Sequence, residues 1–350
     1  MKKKRLREWL ESPKARKRRI ATEKLTKSVK NSEEAEKIYE NVKTLINDED
    51  WSVRSKVATS LVELSLEEGD LREETITILK SKATDAEEHP NVRSTTIKGL
   101  VRLFETDPSL GGEVPTILEE NLGSENAAVQ LAILDLSKFL IKHRETTEEV
   151  KNWILEKLKS DNSMIRRKTL ETLSEIYETF DTEVLEPLLL DRITDQNFEV
   201  RKVALTSMRK LYPWQEISKD ALKPMIRKRL RDPSLEVKKE VITLIFEMMQ
   251  HSPTLSEDFL NEITDEILRK TKNEELLLLT LRLLETVIDK IPTQIVNRYK
   301  LPKTLDILAI NVPANSPKRK RIKILARRLL EEVLGYTVEE RQKLRKPADH

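Results

Sequence analysis

The sequence predicts an all-α protein, a right-handed α–α superhelix of about nine helical hairpins. Three observations lead to this prediction. Charged residues make up 36% of the 350-residue chain, aromatic residues make up 4%, and there are 6 glycines, a composition that favours long helices over sheets and tight hairpins. No stretch keeps up the period-two alternation of a half-buried strand. Finally, one helical face recurs along the chain at a nearly constant interval, which is typical of stacked repeats.

The repeat consists of an anchor residue, usually a cation, followed by apolar or small residues at +3, +4, +7 and +10, on one face of a helix. After the anchor Arg201 these positions hold Ala204, Leu205, Met208 and Leu211. Six further anchors have the same pattern: Arg54, Arg93, Gln130, Arg166, Lys238 and Leu277. Successive anchors are 35 to 39 residues apart. Degenerate copies near Arg18 and Lys318 are expected at the ends, where one face meets water instead of a neighbour.

Each unit also has an earlier amphipathic segment, as at residues 33–46, 148–160 and 220–230. A short polar turn separates this segment from the second helix, and four of these turns read NDEDWS, KSDNSM, TDQNFE and RDPSLE. Asp and Asn in such turns can accept hydrogen bonds from main-chain N–H groups and cap the following helix. A lone helix pair cannot bury its apolar stripe, whereas stacked pairs can, so the pattern predicts an α-solenoid.

The best copy of this unit, residues 184–211, resembles a HEAT repeat. The resemblance rests on a proline in the first helix, an Asp-containing turn, and a Val-Arg dipeptide followed by Ala: Pro187, Asp195, Val200, Arg201 and Ala204. Residues 221–245 match again, whereas two of the seven anchors lack the cation and depart from the family's pattern. The resemblance covers roughly residues 10–335 and is specific for architecture only. It implies an adaptor or scaffold, since HEAT arrays predominantly have these roles.

A turn Asp and a second-helix cation recur together in four of the units. In HEAT-like arrays such residues commonly link neighbouring units. A catalytic pair occurs once, whereas these pairs recur in register with the repeat, so the sequence predicts structural struts, which also fix the register between units. The four pairs are Asp48/Arg54, Asp161/Arg166, Asp195/Arg201 and Asp232/Lys238.

Positive charge is concentrated at the two ends of the chain. Residues 1–30 carry a net charge of +10 and residues 316–350 carry +6, so residues 31–315 carry −13. We therefore expect a single HEAT-like solenoid over residues 1–350, in which these three ranges are a basic N-terminal cap, the repeats, and a basic C-terminal cap and tail. A chain that coated nucleic acid along its whole length would be basic throughout.

Several kinds of functional site are not expected. The chain has no cysteine, and its four histidines are scattered without the spacing of a metal site. Glycine-rich phosphate loops and nucleophile motifs are missing from the sequence. A HEAT-like DNA glycosylase needs aromatic residues and an acid on one surface, but Trp9, Trp51, Trp153 and Trp214 are dispersed. The sequence thus predicts a non-enzymatic protein with no cofactor, no metal ion and no small-molecule substrate.

The favoured function is a protein-interaction scaffold or adaptor that binds a protein partner through a concave groove or through its basic ends. The alternative is a nucleic-acid-associated protein whose basic termini contact the phosphate backbone. A DNA glycosylase or other enzyme ranks last. The candidate groove residues are Lys56, Lys98, Arg102, Lys168, Glu171, Lys210 and Glu240. The candidate residues of the basic ends are Arg16, Arg18, Arg19, Lys318, Arg319 and Arg321.

The hydropathy pattern predicts no membrane-spanning segment. The longest apolar run, residues 276–284, is too short to cross a bilayer. The basic N-terminus lacks the apolar core of a secretory signal. We therefore expect a cytoplasmic protein, or a nuclear one if the organism is eukaryotic.

Overall fold

The computed structural model describes residues 3–143, 148–211, 219–251, 255–313 and 315–335. Within these residues every regular element is helical, which confirms the predicted all-α class. The nineteen α-helices of this part of the chain are α1 (Lys3–Leu10), α2 (Ala15–Thr26), α3 (Ser32–Lys43), α4 (Trp51–Glu67), α5 (Arg72–Thr84), α6 (Pro90–Thr106), α7 (Val114–Leu122), α8 (Ala127–His143), α9 (Glu148–Lys157), α10 (Ser163–Ile176), α11 (Thr182–Ile193), α12 (Phe198–Leu211), α13 (Lys219–Leu230), α14 (Leu235–His251), α15 (Leu255–Glu262), α16 (Glu274–Glu285), α17 (Thr293–Arg298), α18 (Leu301–Asn311) and α19 (Pro317–Leu334).

The chain divides into two compact units, Met1–Phe180 and Asp181–His350. In the first unit, α1 to α10 form five hairpins of successive helices. In the second, α11 to α16 form three hairpins, with a π-helical turn at Ile263–Leu268 extending α15, and α18 packs on α19. The described residues thus contain the nine hairpins that the repeat spacing predicts, together with the short helix α17. A single array over residues 1–350, with caps at its ends, stays a prediction.

The polar turns cap the second helices, as predicted. Asp50, Asn162 and Asn197 each accept a hydrogen bond from the main-chain N–H two residues later, at 2.8, 2.9 and 2.9 Å. Each bond satisfies one of the N–H groups that the first helical turn leaves without a partner. Loss of such a cap costs about 0.5–2 kcal/mol of stability. The turn sequences therefore determine where the second helix of each hairpin begins.

The repeated apolar positions form the core. In α4, the residues Val57, Ala58, Leu61 and Leu64 are at most 1% exposed. The equivalent positions at the start and middle of α12 are also buried. Full burial of one large aliphatic side chain contributes about 1.5–3 kcal/mol. Because the face recurs in each hairpin, stacking of hairpins supplies most of the favourable free energy.

A glycine allows α6 to pack closely on its neighbours. A Cβ atom added at Gly99 would lie 2.8 Å from Cγ2 of Val62 and 3.2 Å from Cδ1 of Leu79. Packed carbon atoms prefer separations of about 3.5–4.0 Å. Glycine inside a helix costs about 0.5–1 kcal/mol relative to alanine. The tight contact with α4 and α5 accounts for a residue that helix propensity alone would disfavour.

Five anchor side chains fasten the start of their helix to the preceding turn. Each donates a hydrogen bond to the main-chain carbonyl six residues earlier, at 2.7–2.8 Å. The donor and acceptor residues are Arg18 and Ser12, Arg54 and Asp48, Gln130 and Ser124, Arg166 and Ser160, and Arg201 and Asp195. The side-chain amide of Gln130 is sufficient for this bond, which explains how this uncharged anchor fits the repeat.

The guanidinium groups of Arg18, Arg54 and Arg201 also reach a carboxylate in the next hairpin. Arg18 binds both carboxylate oxygens of Asp48 at 2.6 and 2.7 Å, and Arg201 binds both oxygens of Asp232 at 2.8 and 2.7 Å. Arg54 uses Glu88 as its carboxylate partner. The arginines are therefore struts, and each carboxylate bond joins successive hairpins. The predicted pairs Asp48/Arg54, Asp161/Arg166 and Asp195/Arg201 meet within one hairpin through a main-chain carbonyl. For the fourth predicted pair, Asp232/Lys238, the carboxylate of Asp232 binds Arg201 instead.

The partners of Asp232 compensate for the burial of its charge. Its carboxylate accepts hydrogen bonds from Arg201, from Arg229 at 2.7 Å and from the main-chain N–H of Ser234 at 2.9 Å. Burial acts to raise the pKa of Asp232, but the hydrogen bonds from Arg201 and Ser234 and the nearby positive charges outweigh it and hold the pKa below its usual value. Removal of one partner from such a buried pair strongly destabilises a protein.

Candidate functional site

The helix pair α1/α2 presents a strongly basic surface in the first unit. Neither helix has an acidic residue in its first turn, so positive side chains and the positive ends of both helices act together. Such a surface attracts polyanions. Seven of its cations are exposed and form no ion pair with any residue that the structure describes: Lys4, Arg5, Arg7, Lys14, Arg16, Arg19 and Lys24.

An aromatic ring lies among these cations. The guanidinium carbon of Arg5 is 5.7 Å from the ring centroid of Trp9, and the ammonium nitrogen of Lys17 is 5.4 Å from it. Cation–π contacts at exposed sites are worth about 0.5–1 kcal/mol each. Trp9 therefore holds one cation from α1 and one from α2 over the same ring.

A cleft of about 450 Å³ opens where the C-terminal ends of α2, α4 and α6 meet in the first unit. Its walls carry three cations, Lys27, Lys30 and Arg102, and two carboxylates, Glu63 and Glu67. These side chains come from three successive hairpins. No single repeat encodes the cleft, so it forms only when the hairpins stack.

The charges in and beside the cleft are partly paired. Lys27 donates to Glu23 at 2.6 Å, and this hydrogen bond raises the pKa of Lys27 and lowers that of Glu23. Lys30, Glu67 and Arg102, by contrast, form no ion pair with the described residues. The cleft can therefore offer positive and negative groups to a ligand without breaking a strong internal contact.

This arrangement suits a ligand that has both phosphate groups and a positive centre. Lys30 and Arg102 can bind phosphate oxygens, since guanidinium and ammonium groups form charge-assisted hydrogen bonds with them. The carboxylates Glu63 and Glu67 can stabilise a positive charge that develops during a reaction, or act as a general base.

The predicted groove residues fall into two groups. Four contact other side chains of the fold: Lys56 with Glu23 at 3.9 Å, Lys168 with Asp135 at 2.5 Å, Glu171 with Arg167 at 3.8 Å, and Glu240 with Arg209 at 2.9 Å. Lys98, Arg102 and Lys210 are exposed and form no ion pair with a described residue. Of these three, Arg102 is the one that lines the cleft. A partner-binding role for the groove residues stays a prediction.

The predicted residues of the basic ends also differ in their surroundings. Arg18 is 7% exposed and its guanidinium is bound by Asp48, so it is a strut and offers no binding surface. Lys318 and Arg319 form ion pairs with carboxylates of α16 at 2.8 and 2.7 Å. The remaining three are exposed and form no ion pair within the described ranges: Arg16, Arg19 and Arg321.

The tryptophans are dispersed in the structure as they are in the sequence. Trp153 is buried, and its ring N–H donates to the carbonyl of Leu122 at 2.8 Å, as expected of a core residue. Trp51 is 40% exposed and stacks on His89 with ring centroids 4.5 Å apart. Trp214 lies outside the described residues. Across those residues, no group of three or more His, Asp or Glu side chains could hold a metal ion.

The first 90 residues match the family of DNA alkylation repair enzymes. The matched segment contains the basic surface of α1/α2 and four of the five charged residues of the cleft, the fifth being Arg102. No curated protein matches the sequence. No helix in the described part of the chain is long and apolar enough to cross a membrane.

Solved structures share the fold at low sequence identity. The Escherichia coli protein YibA has a TM-score of 0.60 and 15% identity, over 83% of this chain and 92% of YibA. Kap121p bound to RanGTP has a TM-score of 0.59 and 12% identity, over 94% of this chain and 42% of that one. The karyopherin Kap121p bound to the extreme C-terminus of the phosphatase Cdc14p has a TM-score of 0.58 and 13% identity, over 97% and 39%. The chain thus spans about two fifths of Kap121p, and the likeness concerns the fold alone.

The family match overturns the function predicted from the sequence. The favoured function, a non-enzymatic scaffold with a protein partner and no substrate, is wrong, because the matched family is one of DNA alkylation repair enzymes. The prediction failed because it rested on the resemblance to HEAT arrays, whose repeated residues hold the hairpins together and carry no information about a substrate. Lys27, Glu63 and Arg102 each lie nine residues after an anchor, so they share one repeat position, and Arg102 was among the groove candidates. The other two, Lys30 and Glu67, lie at other offsets, and the repeat alone does not show that these five side chains line one cleft.

Proposed function

We propose that this protein is a DNA alkylation repair enzyme that binds duplex DNA with its first unit and acts on an alkylated base in the cleft. The match of residues 1–90 carries this proposal, because the matched segment includes an unpaired basic surface and most of a charged cleft. We further propose that the hairpins form a HEAT array that supports this site.

The basic surface of α1/α2 is suited to the DNA backbone. Its seven exposed cations can replace counterions around phosphate groups, and each phosphate that is neutralised makes binding more sensitive to salt. Backbone contacts of this kind position a protein on DNA without reading the base sequence. A repair enzyme needs this property, because damage occurs in any sequence.

The cleft is suited to a base that has been turned out of the duplex. Enzymes that act on a base extrude it into a pocket, at a cost that is lowest for damaged bases. Alkylation of a ring nitrogen makes the base positively charged and weakens its bond to deoxyribose. As the base departs with the bonding electrons, positive charge develops on the sugar, and Glu63 and Glu67 would stabilise it until water adds to the sugar carbon and gives a proton to one of these carboxylates. Lys30 and Arg102 would hold the flanking phosphates.

Release of bases from methylated DNA tests this proposal. Duplex DNA treated with a methylating agent is incubated with the full chain, and released bases are measured by chromatography. We expect release by the wild-type protein. The double variant Glu63→Gln/Glu67→Gln should reduce the rate at least about a hundredfold, since electrostatic stabilisation of a transition state is worth this much or more. DNA affinity should be retained.

The matched control is Glu105→Gln, because Glu105 is exposed on α6 and forms no ion pair with the residues described. This variant should release bases at the wild-type rate. The proposal is wrong if the wild-type protein releases no base and binds methylated and undamaged duplexes with equal affinity.

A further inference from the structure

The last helix of the described chain has two very different faces. One face of α19 is buried within the second unit. Its buried side chains are Ile322, Ala326, Leu329 and Leu330. On the opposite face Ile324 is 65% exposed, more than any other large apolar side chain among the described residues. Burying an isoleucine contributes about 1.5–3 kcal/mol. The fold leaves Ile324 exposed, so a ligand that covers this side chain would gain that free energy.

Two further isoleucines extend this apolar patch onto α18. Ile307 and Ile310 lie one turn apart on that helix and are 45% and 54% exposed. The ammonium group of Lys323 approaches the carbonyl of Ile310 at 3.4 Å, which brings this end of α18 beside the turn of α19 that carries Ile324. The described residues include seven exposed large apolar side chains, and three of them are these isoleucines. Their concentration on one helix pair sets this face apart from scattered surface residues.

Cations surround the isoleucines. A surface depression of about 640 Å³ around Ile324 is lined by Lys320, Lys323, Arg327 and Arg328, together with one carboxylate, Glu331. Arg328 reaches Glu285 at 3.0 Å but its side chain stays 70% exposed. Lys303 continues the stripe of Ile307 and Ile310 on α18 and is also exposed. We call this surface, formed by Lys303, Ile307, Ile310, Lys320, Lys323, Ile324, Arg327 and Arg328, the terminal face.

We propose that the terminal face docks onto an anionic lipid surface, with the three isoleucines entering the headgroup boundary and the cations contacting acidic headgroups. An interfacial helix of this kind combines exposed apolar side chains with Lys and Arg. Among the described residues of the terminal face there is no aromatic side chain on which a nucleic-acid base could stack. A nucleic acid that contacted only the cations through its phosphates would leave the three isoleucines exposed to water. A second copy of the face would bring like charges together.

The strength expected of this contact is moderate. Each Lys or Arg near an anionic membrane strengthens partitioning about fivefold. Three partly inserted isoleucines add to this, so binding is reversible and weakens as salt screens the charges. The proposal goes beyond the activity on DNA and does not rest on it, because the terminal face belongs to the second unit and the cleft to the first.

Vesicle co-sedimentation of the full chain tests the proposal. Vesicles of phosphatidylcholine alone are compared with vesicles that contain equal parts phosphatidylserine. We expect binding to the acidic vesicles only. The triple variant Lys320→Ala/Lys323→Ala/Arg327→Ala should lower partitioning roughly a hundredfold, at about fivefold per cation. Ile324→Asp should lower it at least about tenfold, because it removes an inserting side chain and adds a repelled charge.

Two control variants carry the same kinds of substitution at exposed positions of the second unit outside the terminal face. Lys228→Ala/Lys272→Ala/Lys290→Ala removes three exposed cations elsewhere, and Val184→Asp replaces an apolar residue that is 46% exposed. Both should bind acidic vesicles like the wild type. The proposal is overturned if acidic vesicles are not bound, if neutral vesicles are bound equally, or if the controls lose as much binding. It is also overturned if the variants of the terminal face weaken binding to duplex DNA instead, or if Ile324→Asp dissociates a dimer.

Discussion

Arg16 and Arg18 are two residues apart in α2 and have opposite surroundings. Arg18 is buried and both oxygens of Asp48 bind it, whereas Arg16 is exposed and forms no ion pair with a described residue. Arg18 belongs to the buried ladder of repeated arginines, and Arg16 to the unrepeated basic surface of the chain end. Repeated arginines thus hold the hairpins together, while the unrepeated, unpaired cations of α1/α2 are available for an anionic ligand. Net charge along the sequence does not distinguish them.

The buried ladder should show the largest effect on stability. In Arg201→Ala, the carboxylate of Asp232 stays buried and loses two hydrogen bonds, so the free energy of unfolding should fall by about 3–5 kcal/mol. Urea denaturation followed by circular dichroism measures this change. Lys210→Ala, which removes an exposed cation from the same helix, should stay within about 0.5 kcal/mol of wild type. Equal stability of the two variants would mean that the ladder is not structural.

Lowering the pH should reduce the stability of the fold by a smaller amount than Arg201→Ala does. The pKa of Asp232 in the folded protein lies below that of the unfolded chain, and so does the pKa of Glu88, on which burial acts to raise the value and Arg54 to lower it. Stabilisation by these groups is therefore fully present above the unfolded values, near pH 4, and is lost as the pH falls through the folded values.

Urea midpoints measured between about pH 6 and 3 test this expectation. The wild-type midpoint should fall steeply below about pH 4. The variant Asp232→Asn cannot titrate at this position, so its midpoint should change less over the same range, whatever its stability at neutral pH. Parallel pH profiles of the two proteins would show that Asp232 does not have a depressed pKa.

The repeat spacing was sufficient to predict the helical hairpins, their approximate number and the capping turns, because these depend on local sequence and on a period that comparison of the seven anchors reveals. It also identified Arg18, Arg54 and Arg201 as members of one repeated position. The carboxylates that bind these arginines were harder to predict from the sequence. Arg18 and Arg201 bind predicted turn aspartates of the next hairpin, whereas Arg54 binds Glu88, which is outside the predicted Asp positions. Sequence spacing within one hairpin carries no information about that interaction.

The candidate site was harder to predict for the same physical reason. Arg102 and Glu67 meet at the cleft only after successive hairpins stack, and they lie at different offsets from their anchors. At the C-terminal end, the sequence indicated a basic helix, but Lys318 and Arg319 are paired with carboxylates of α16. Ile324 was not recognised because a single apolar residue in a basic helix looks like part of its buried stripe. The candidate binding residues are the charged side chains that form no ion pair in the folded protein, and identifying them requires the structure.

Salt dependence of DNA binding tests the central claim, that exposed cations bind and buried ones hold the fold, most directly. Affinity for a duplex is measured by fluorescence anisotropy over a range of salt concentrations, for the wild type, for Arg16→Ala/Arg19→Ala and for Arg18→Ala, each also followed by thermal melting. The double variant should lower the slope of log affinity against log salt by about 1.8, at about 0.9 for each phosphate that the protein no longer neutralises, with an unchanged melting temperature. Arg18→Ala should melt earlier and, below its melting temperature, keep the wild-type slope. A wild-type slope in the double variant, or an equal reduction of the slope in Arg18→Ala, would contradict the claim.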